Sequence, residues 1–253
     1  MNIDSAKIKK HLDFDCEVKV LETVDSTNLY LKRNPNTNSN VLVISKTQTA
    51  GKGRHGKSFY SDENGIYMSF LLNKTIPVSE VYLLTTTAAV AVAETLNDLY
   101  KIDAKIKWVN DVYCNNKKLC GILCEGVLNS DGVYEKSIVG IGINVFKSHF
   151  PAEISNTAIS LEDVVEMSKI NRKLIIASIV NKFFNLINSV TDIELVEKYK
   201  SLSFMIGKTI TVSSADGDYP AKVLDIDNSA QLVIQKQSGE VVSLNSGEIS
   251  IKI

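Results

Sequence analysis

Between Ser45 and Ser61 the chain carries four cations, Lys46, Lys52, Arg54 and Lys57, and no acid. Glycines at 51, 53 and 56 punctuate the same stretch, AGKGRHGKSFYS. Glycine lets a backbone approach a ligand closely and present N–H groups, while guanidinium can bind carboxylate or phosphate bidentately. An anion site is one reading and a solvated basic surface loop is the other. The spacing G-x-x-x-x-G-K-[ST] of a P-loop is absent. A second group runs from 107 to 125, KWVNDVYCNNKKLCGILCE, in which Lys107 ends one strand and Lys118 begins the next. Two such lysines can flank one pocket, or Lys117 and Lys118 can belong to a solvated turn. Asp111 between them can help to hold magnesium or can cap its own turn. Asp25, Ser26, Thr27 and Asn28 form a third group, equally readable as an ordinary helix start. The fourth, VGIGINV at 139–145, has glycines that let a ligand lie flat on a strand or that mark a bulge, and Asn144 offers donor and acceptor.

The elements that must position these groups follow from periodicity. Residues 17–22 suit a short strand, and the helix pattern from Asp25 to Arg33 follows, with Asp25 or Ser26 as N-cap. An asparagine-rich loop at 34–40 precedes a β-branched strand at 41–45, and the glycine-rich segment 49–58 cannot be regular structure. Residues 66–72 form another strand, and Ser79 precedes a long helix through Tyr100 that should pack across the sheet. From Lys105 the pattern is antiparallel, with turns at Asn115-Asn116 and Asp131-Gly132. Ser160-Leu-Glu-Asp has the form of a capping box, and residues 171–189 and 192–201 read as amphipathic helices. After Met205 short alternating runs predict a small barrel of about five strands.

The chain has 253 residues, 44% hydrophobic and 23% charged, with a net charge of -1, so any attraction for anions has to be local. That balance argues against DNA or an anionic membrane as partner. The apolar runs are too short for a signal peptide or a membrane span. Four cysteines without C-x-x-C spacing and three scattered histidines do not suit zinc, and they point to a reducing, cytoplasmic setting.

In order, Ser-Thr-Asn, Gln-Thr-Ala-Gly-Lys-Gly-Arg-His-Gly from Gln48, Lys-Trp-Val-Asn-Asp, Lys-Leu-Cys-Gly-Ile-Leu, Gly-Ile-Gly-Ile-Asn-Val and a terminal Ser-Gly-Glu-Ile-Ser closely resemble the biotin-protein ligase family. The resemblance runs from about Val20 to the C-terminus. It implies an α+β fold: a mixed β-sheet catalytic domain of the biotin/lipoate ligase type with helices packed on it, residues 1–204, and a small C-terminal SH3-like β-barrel, residues 205–253. It implies ATP and biotin as substrates with Mg2+, a biotin carboxyl carrier domain as acceptor, and a homodimer as an option. About twenty residues precede the first matching strand, too few for the N-terminal winged helix of family members that repress transcription.

The resemblance also assigns positions. Ser26, Thr27, Asn28 and Gln48 match the residues that hold the ureido ring, and Gly51, Lys52, Gly53 and Arg54 the loop that folds over the activated acid. Lys118 matches the lysine that reaches the biotin carboxylate and α-phosphate, and Gly121 follows it in the same biotin-binding motif. Lys107, Asn144 and Phe59 fall on the nucleotide side, and Asp111 is the candidate for magnesium or for the acceptor lysine's proton. Two departures stand out: in the loop, Lys52 and Phe59 sit where the family often has arginine and tryptophan, and Val109 sits where it has proline. A lipoate ligase or a non-catalytic biotin-binding regulator are the alternatives. An acyl adenylate hydrolyses when exposed, so the glycine loop should close over it. Biotin with ATP is expected to slow tryptic cleavage after Lys52 and Arg54; equal rates with and without them refute closure.

Overall fold

The computed structural model describes residues 3–35, 39–72, 75–77, 80–128, 133–214, 217–245 and 248–251. Its first part runs α1 (Ser5–Lys9), β1 (Glu17–Val24), α2 (Thr27–Arg33), β2 (Val41–Gln48), β3 (Gly65–Leu72), β4 (Ile76–Pro77) and α3 (Val81–Tyr100). It continues through β5 (Lys105–Lys107), β6 (Asp111–Cys114), β7 (Lys117–Leu128), β8 (Val133–Asn144), α4 (Ala152–Ser155), α5 (Arg172–Ser189) and α6 (Asp192–Leu202). The sheet order is β1-β2-β3-β8-β7-β6-β5, with β4 paired on β8. Among the described residues of this sheet, β1 and β2 pair in parallel, across α2, and the other ladders are antiparallel.

Alternation along β2 and β3 divides the core. Leu42, Ile44, Ile66, Met68 and Phe70 face the main core with α3, α5 and α6, while Val41, Val43 and Leu71 meet Leu31 of α2 on the other face. Residues 88–93 of α3 are fully buried. Thr86 and Thr87 within it satisfy their hydroxyls by donating to the carbonyls of Tyr82 and Leu83, at 2.9 and 2.6 Å. Asn171 caps α5 by accepting from the Leu174 N–H, and Thr191 with Glu194 forms a capping box on α6.

Several expectations shift. Helix α1, capped by Asp4, is too short to leave a periodic signal. The Ser160 box caps only a 3-10 turn, Leu161–Asp163, with the Asp163 carboxylate accepting from the Ser160 N–H at 2.9 Å. Asn115 and Asn116 both have positive φ, 49° and 60°, which is the mirror-image turn expected of a tight hairpin. Ser79 and the Asp131-Gly132 turn lie outside the described residues.

The C-terminal part comprises β9 (Thr209–Ser214), β10 (Gly217–Ile226), β11 (Leu232–Lys236), β12 (Val241–Leu244) and β13 (Glu248–Ile251), ordered β12-β11-β10-β9-β13. Five strands were expected, but the closed barrel was not found: among the described residues β12 and β13 remain edges. Each has four residues, and among the described residues no ladder joins them, so the stagger that closure requires is not made. Among the described residues no helix is long and apolar enough to cross a membrane. Phe70 is fully buried, with its ring centroid 4.6 Å from that of Phe183. Phe70→Ala should cost about 3–5 kcal/mol in urea unfolding; a loss below about 1 kcal/mol would place the ring outside the main core.

Candidate active site

Directly opposed residues of an antiparallel pair project to one face. Lys107 opposes Asp111, Asp111 opposes Gly121, Gly121 opposes Gly142, and Gly142 opposes Tyr67. The sequence thus lays a row across five strands, with two glycines in its middle. The next row on that face is Leu123, Gly140 and Ser69. Missing side chains at 121, 140 and 142 make a trough, and α2 and the 49–61 segment lie over it.

A bulge completes the row. Lys118 and Gly121 are three apart and would face opposite sides of a regular strand. The register of β6 with β7 shifts between Val112 and Tyr113, so Lys118 opposes Tyr113 and rejoins the face of Asp111. Its ammonium lies 2.7 Å from Asp111 Oδ1.

The basic loop is tied at its roots. Thr49 and Ala50 donate backbone N–H groups to Val24 and Asp25, and Phe59 donates to Gly51. Contrary to the expectation of no regular structure, it holds a Lys52–Ser58 bridge and one 3-10 turn, Arg54–Gly56, in which His55 takes φ 53°. Phe59 returns the chain to the sheet. Its ring lies so close that a Cβ on Gly142 would meet it at 2.6 Å and one on Gly121 at 3.0 Å.

That ring separates two cavities. On one side a narrow space of about 30 Å3 is lined by Thr27, Asn28, Gln48, Leu123 and Gly140. The Thr27 N–H donates to Gln48 Oε1 at 2.9 Å, Gln48 Nε2 donates to Ser61 Oγ at 2.9 Å, and Ser61 donates to the Phe59 carbonyl. On the other side a space of about 290 Å3 is lined by Lys52, Arg54, Lys57, Lys107, Asp111 and Lys118. Phe59, Lys52 and Gly121 border both. A third cavity, about 530 Å3, follows β7 beyond the end of β6, between the loop and Tyr82, and touches Glu125 and Asn245. It shares Arg54 and Asn110 with the cationic space but not Asp111 or Lys118.

The turn bearing Lys107 and Asp111 is clamped from two sides. Trp108, 3% exposed, donates its indole N–H to the Ala230 carbonyl at 2.8 Å, and the Tyr199 hydroxyl donates to the Val109 carbonyl at 2.9 Å. Lys107 Nζ stands 5.4 Å over the Tyr113 ring and 3.5 Å from its hydroxyl. Burial, with the Asp111 charge adding to it, pushes the Tyr113 phenol up to about 12, so it remains a neutral hydroxyl whose oxygen accepts from Lys107. Arg54 Nη1 makes a long contact, 3.5 Å, with Asn110 Oδ1, and Asn110 Nδ2 donates to the Ile122 carbonyl at 2.7 Å.

The cavities therefore gather Thr27, Asn28, Gln48, Lys52, Gly53, Arg54, Phe59, Lys107, Asp111, Lys118 and Gly121. Ser26, Gly51 and Asn144 do not line them. Ser26 is the buried N-cap residue of α2, without a side-chain cap bond. Asn144 donates to the Lys118 and Ile159 carbonyls at 3.3 and 3.2 Å, so its amide braces the wall. Ser61, Ser69, Asn110, Tyr113 and Glu125 were not anticipated; a lone serine inside the wholly buried strand GIYMSFLL was the available signal for Ser69. Among the described residues no three His, Cys, Asp or Glu side chains converge as a metal cluster. One carboxylate beside substrate phosphates suffices for Mg2+, and Asp111 fits that pattern.

The family described as Biotin/lipoate A/B protein ligase matches residues 20–144. The bifunctional ligase/repressor BirA of Bacillus spizizenii is 34% identical over 226 residues, covering 86% of this chain and 68% of that protein. The biotin–[acetyl-CoA-carboxylase] ligase of Mycobacterium tuberculosis is 28% identical, covering 83% and 78%. Among solved structures, the biotin protein ligase from Aquifex aeolicus in complex with biotin and ATP superposes with a TM-score of 0.78 at 29% identity, covering 93% of this chain and 98% of that one.

Cys124 borders the third cavity, yet burial pushes its thiol up to about 12 and that of Cys16 up to about 11. Iodoacetamide at about pH 8 should leave the folded chain unmodified by mass and label the unfolded chain fully. Rapid native labelling of Cys124 would show an ionisable thiol in that cavity.

Proposed function

The chain belongs to the biotin/lipoate A/B protein ligase family, and from that premise we propose that it joins biotin to ATP and passes the biotinyl group to a carrier-domain lysine. The observation that carries this reading is the pair of cavities divided by Phe59, one lined by hydroxyl and amide groups and the other by cations. A cyclic urea offers one carbonyl and two N–H groups, and leaving one unpaired in a buried pocket costs about 1–3 kcal/mol. Thr27 and Gln48 supply the matching groups. The valeryl chain passes the Phe59 ring over the glycine trough and delivers the carboxylate among Lys52, Arg54 and Lys118.

Biotin's carboxylate attacks the α-phosphorus of ATP, forming biotinyl-AMP and releasing pyrophosphate. Both partners are anions, so the cations of this cavity lower the repulsion and stabilise charge developing on the phosphoryl oxygens. Lys118 bridges carboxylate and α-phosphate, and Lys107, steadied by Tyr113, meets the nucleotide phosphates. Magnesium would be held by Asp111 with those phosphates and supplies further charge neutralisation. The acceptor ε-amine, with a pKa near about 10.4, has to lose a proton before it attacks the mixed anhydride. Asp111, paired with Lys118 in this cavity, would take that proton once pyrophosphate and its magnesium have left. Asn28 and Asn144 act by holding the walls. The biotin carboxyl carrier domain of a carboxylase is the acceptor this chemistry fits, and four free thiols support a reducing, cytoplasmic setting.

Incubation with ATP, magnesium and either biotin or lipoate, followed by mass measurement of the adenylate, tests the assignment. Biotinyl-AMP alone is expected, and lipoyl-AMP alone would overturn it. Arg54→Gly removes a charge-assisted contact worth about 1.5–3 kcal/mol. It should therefore release biotinyl-AMP about ten-fold faster or more, seen as biotinylation of a bystander protein. Undiminished retention would remove Arg54 from the lid.

A further inference from the structure

A line of buried hydrogen bonds behind the small polar cavity fixes which way its groups point their hydrogens. Asn28, 3% exposed, holds its Nδ2 at 3.1 Å from the Leu123 carbonyl and 2.8 Å from Glu125 Oε2. A carbonyl and an ionised carboxylate only accept, so this amide cannot be turned over. Glu125 itself is anchored by Lys32, whose ammonium lies 2.5 Å from Oε1. Asn28 Oδ1 thus faces Ser69 Oγ, 2.6 Å away and fully buried, and Ser69 has to donate to it.

Ser69 Oγ is also 2.6 Å from Thr27 Oγ1. A contact that short needs a hydrogen. Ser69 is the donor here too, so its single hydrogen is shared between Asn28 Oδ1 and Thr27 Oγ1. The Thr27 hydroxyl sends its own hydrogen on to Gln48 Oε1 at 3.2 Å, which also accepts the Thr27 N–H at 2.9 Å. The Thr27 oxygen is left with a lone pair and no hydrogen for a ligand. Gln48 Nε2 gives one hydrogen to Ser61 and retains one for the cavity. Gly140 keeps the line together, since a Cβ there would lie 2.2 Å from Asn28 Oδ1.

Building on the biotin reading, we propose that Ser69, Asn28 and Glu125 are positioning residues that set the donor–acceptor order of the pocket. Thr27 is held as an acceptor for a ring N–H and Gln48 as a donor to a ring carbonyl, so the pocket selects a cyclic urea over a ring of the same shape without N–H. The discriminating ligand is the cyclic-carbonate analogue of biotin, in which oxygen replaces both ureido N–H groups.

Ligand-dependent ATP–pyrophosphate exchange reads the effect. In Ser69→Ala the Thr27 oxygen loses the hydrogen that Ser69 gives it, and its hydroxyl is free to turn. The KM for biotin should rise about ten-fold, the size of one lost hydrogen bond, with the KM for ATP unchanged. Preference for biotin over the carbonate should fall by a similar factor, because Thr27 can then donate to the ring oxygen. Ser69→Thr, which keeps a hydroxyl, should restore the preference. Glu125→Gln should shift it in the same direction but less, since the Leu123 carbonyl still orients Asn28; it decides the matter if Ser69→Ala does not fold. An unchanged preference, or equal losses for both ligands, overturns the relay while leaving a biotin ligase in place. A wild-type chain without biotin-dependent exchange would overturn the functional reading and the relay with it.

Discussion

The alignment of Gly121 with Gly142, and of Gly142 with Tyr67, is the constraint on which the site depends. A slip of one residue in either ladder would exchange faces. Ile122, Ile141 and Met68 would then fill the trough, and the glycines would open holes in the main core. The hydrophobic pattern that stabilises the sheet is therefore the same pattern that clears a bed for a ligand. Energy and function are not separable here, because β3 is buried along its whole length and supplies both the core face, through Met68, and the ligand face, through Tyr67.

On that bed the chemistry divides at one ring. Phe59 closes the polar end from the cationic end, and its place is fixed by backbone bonds to the loop rather than by the ligand. The cationic end in turn draws on distant parts of the chain. Trp108 is held by the C-terminal sheet through Ala230, and Val109 by α6 through Tyr199. The turn carrying Lys107 and Asp111 is thus part of the interface between the two sheets. This gives the C-terminal strands a role in placing charge even though the cationic cavity is lined by residues of the larger part.

Much of this was legible in the residues. The apolar runs of β2 and β3, the length of α3, the asparagine turn and the order of the glycine-rich motifs are local properties, and each survives in the structure. What was not legible depends on cross-strand register or on hydrogen direction. Asn28 and Asn144 were read as ligand-facing, yet their amides are committed to carbonyls and a carboxylate contributed by other elements. Ser69 looked like an interruption of an apolar strand. The five C-terminal strands could be counted from their alternation, but closure of a sheet depends on strand length and shear, which alternation does not encode.

The bulge between β6 and β7 limits how this hairpin can change. Leu119 is the residue that the ladder leaves without a partner, and it is the reason that Lys118 and Gly121 share a face although they are three apart. Straightening the ladder with Leu119 kept would turn Lys118 to the opposite face, whereas losing Leu119 would leave the two residues two apart on a regular strand, still facing the same way. Residues can be added at the tip, Asn115 and Asn116, without touching this arrangement, so from Lys118 to Gly121 it is spacing taken together with the bulge, more than composition, that sets the side on which the charge lies.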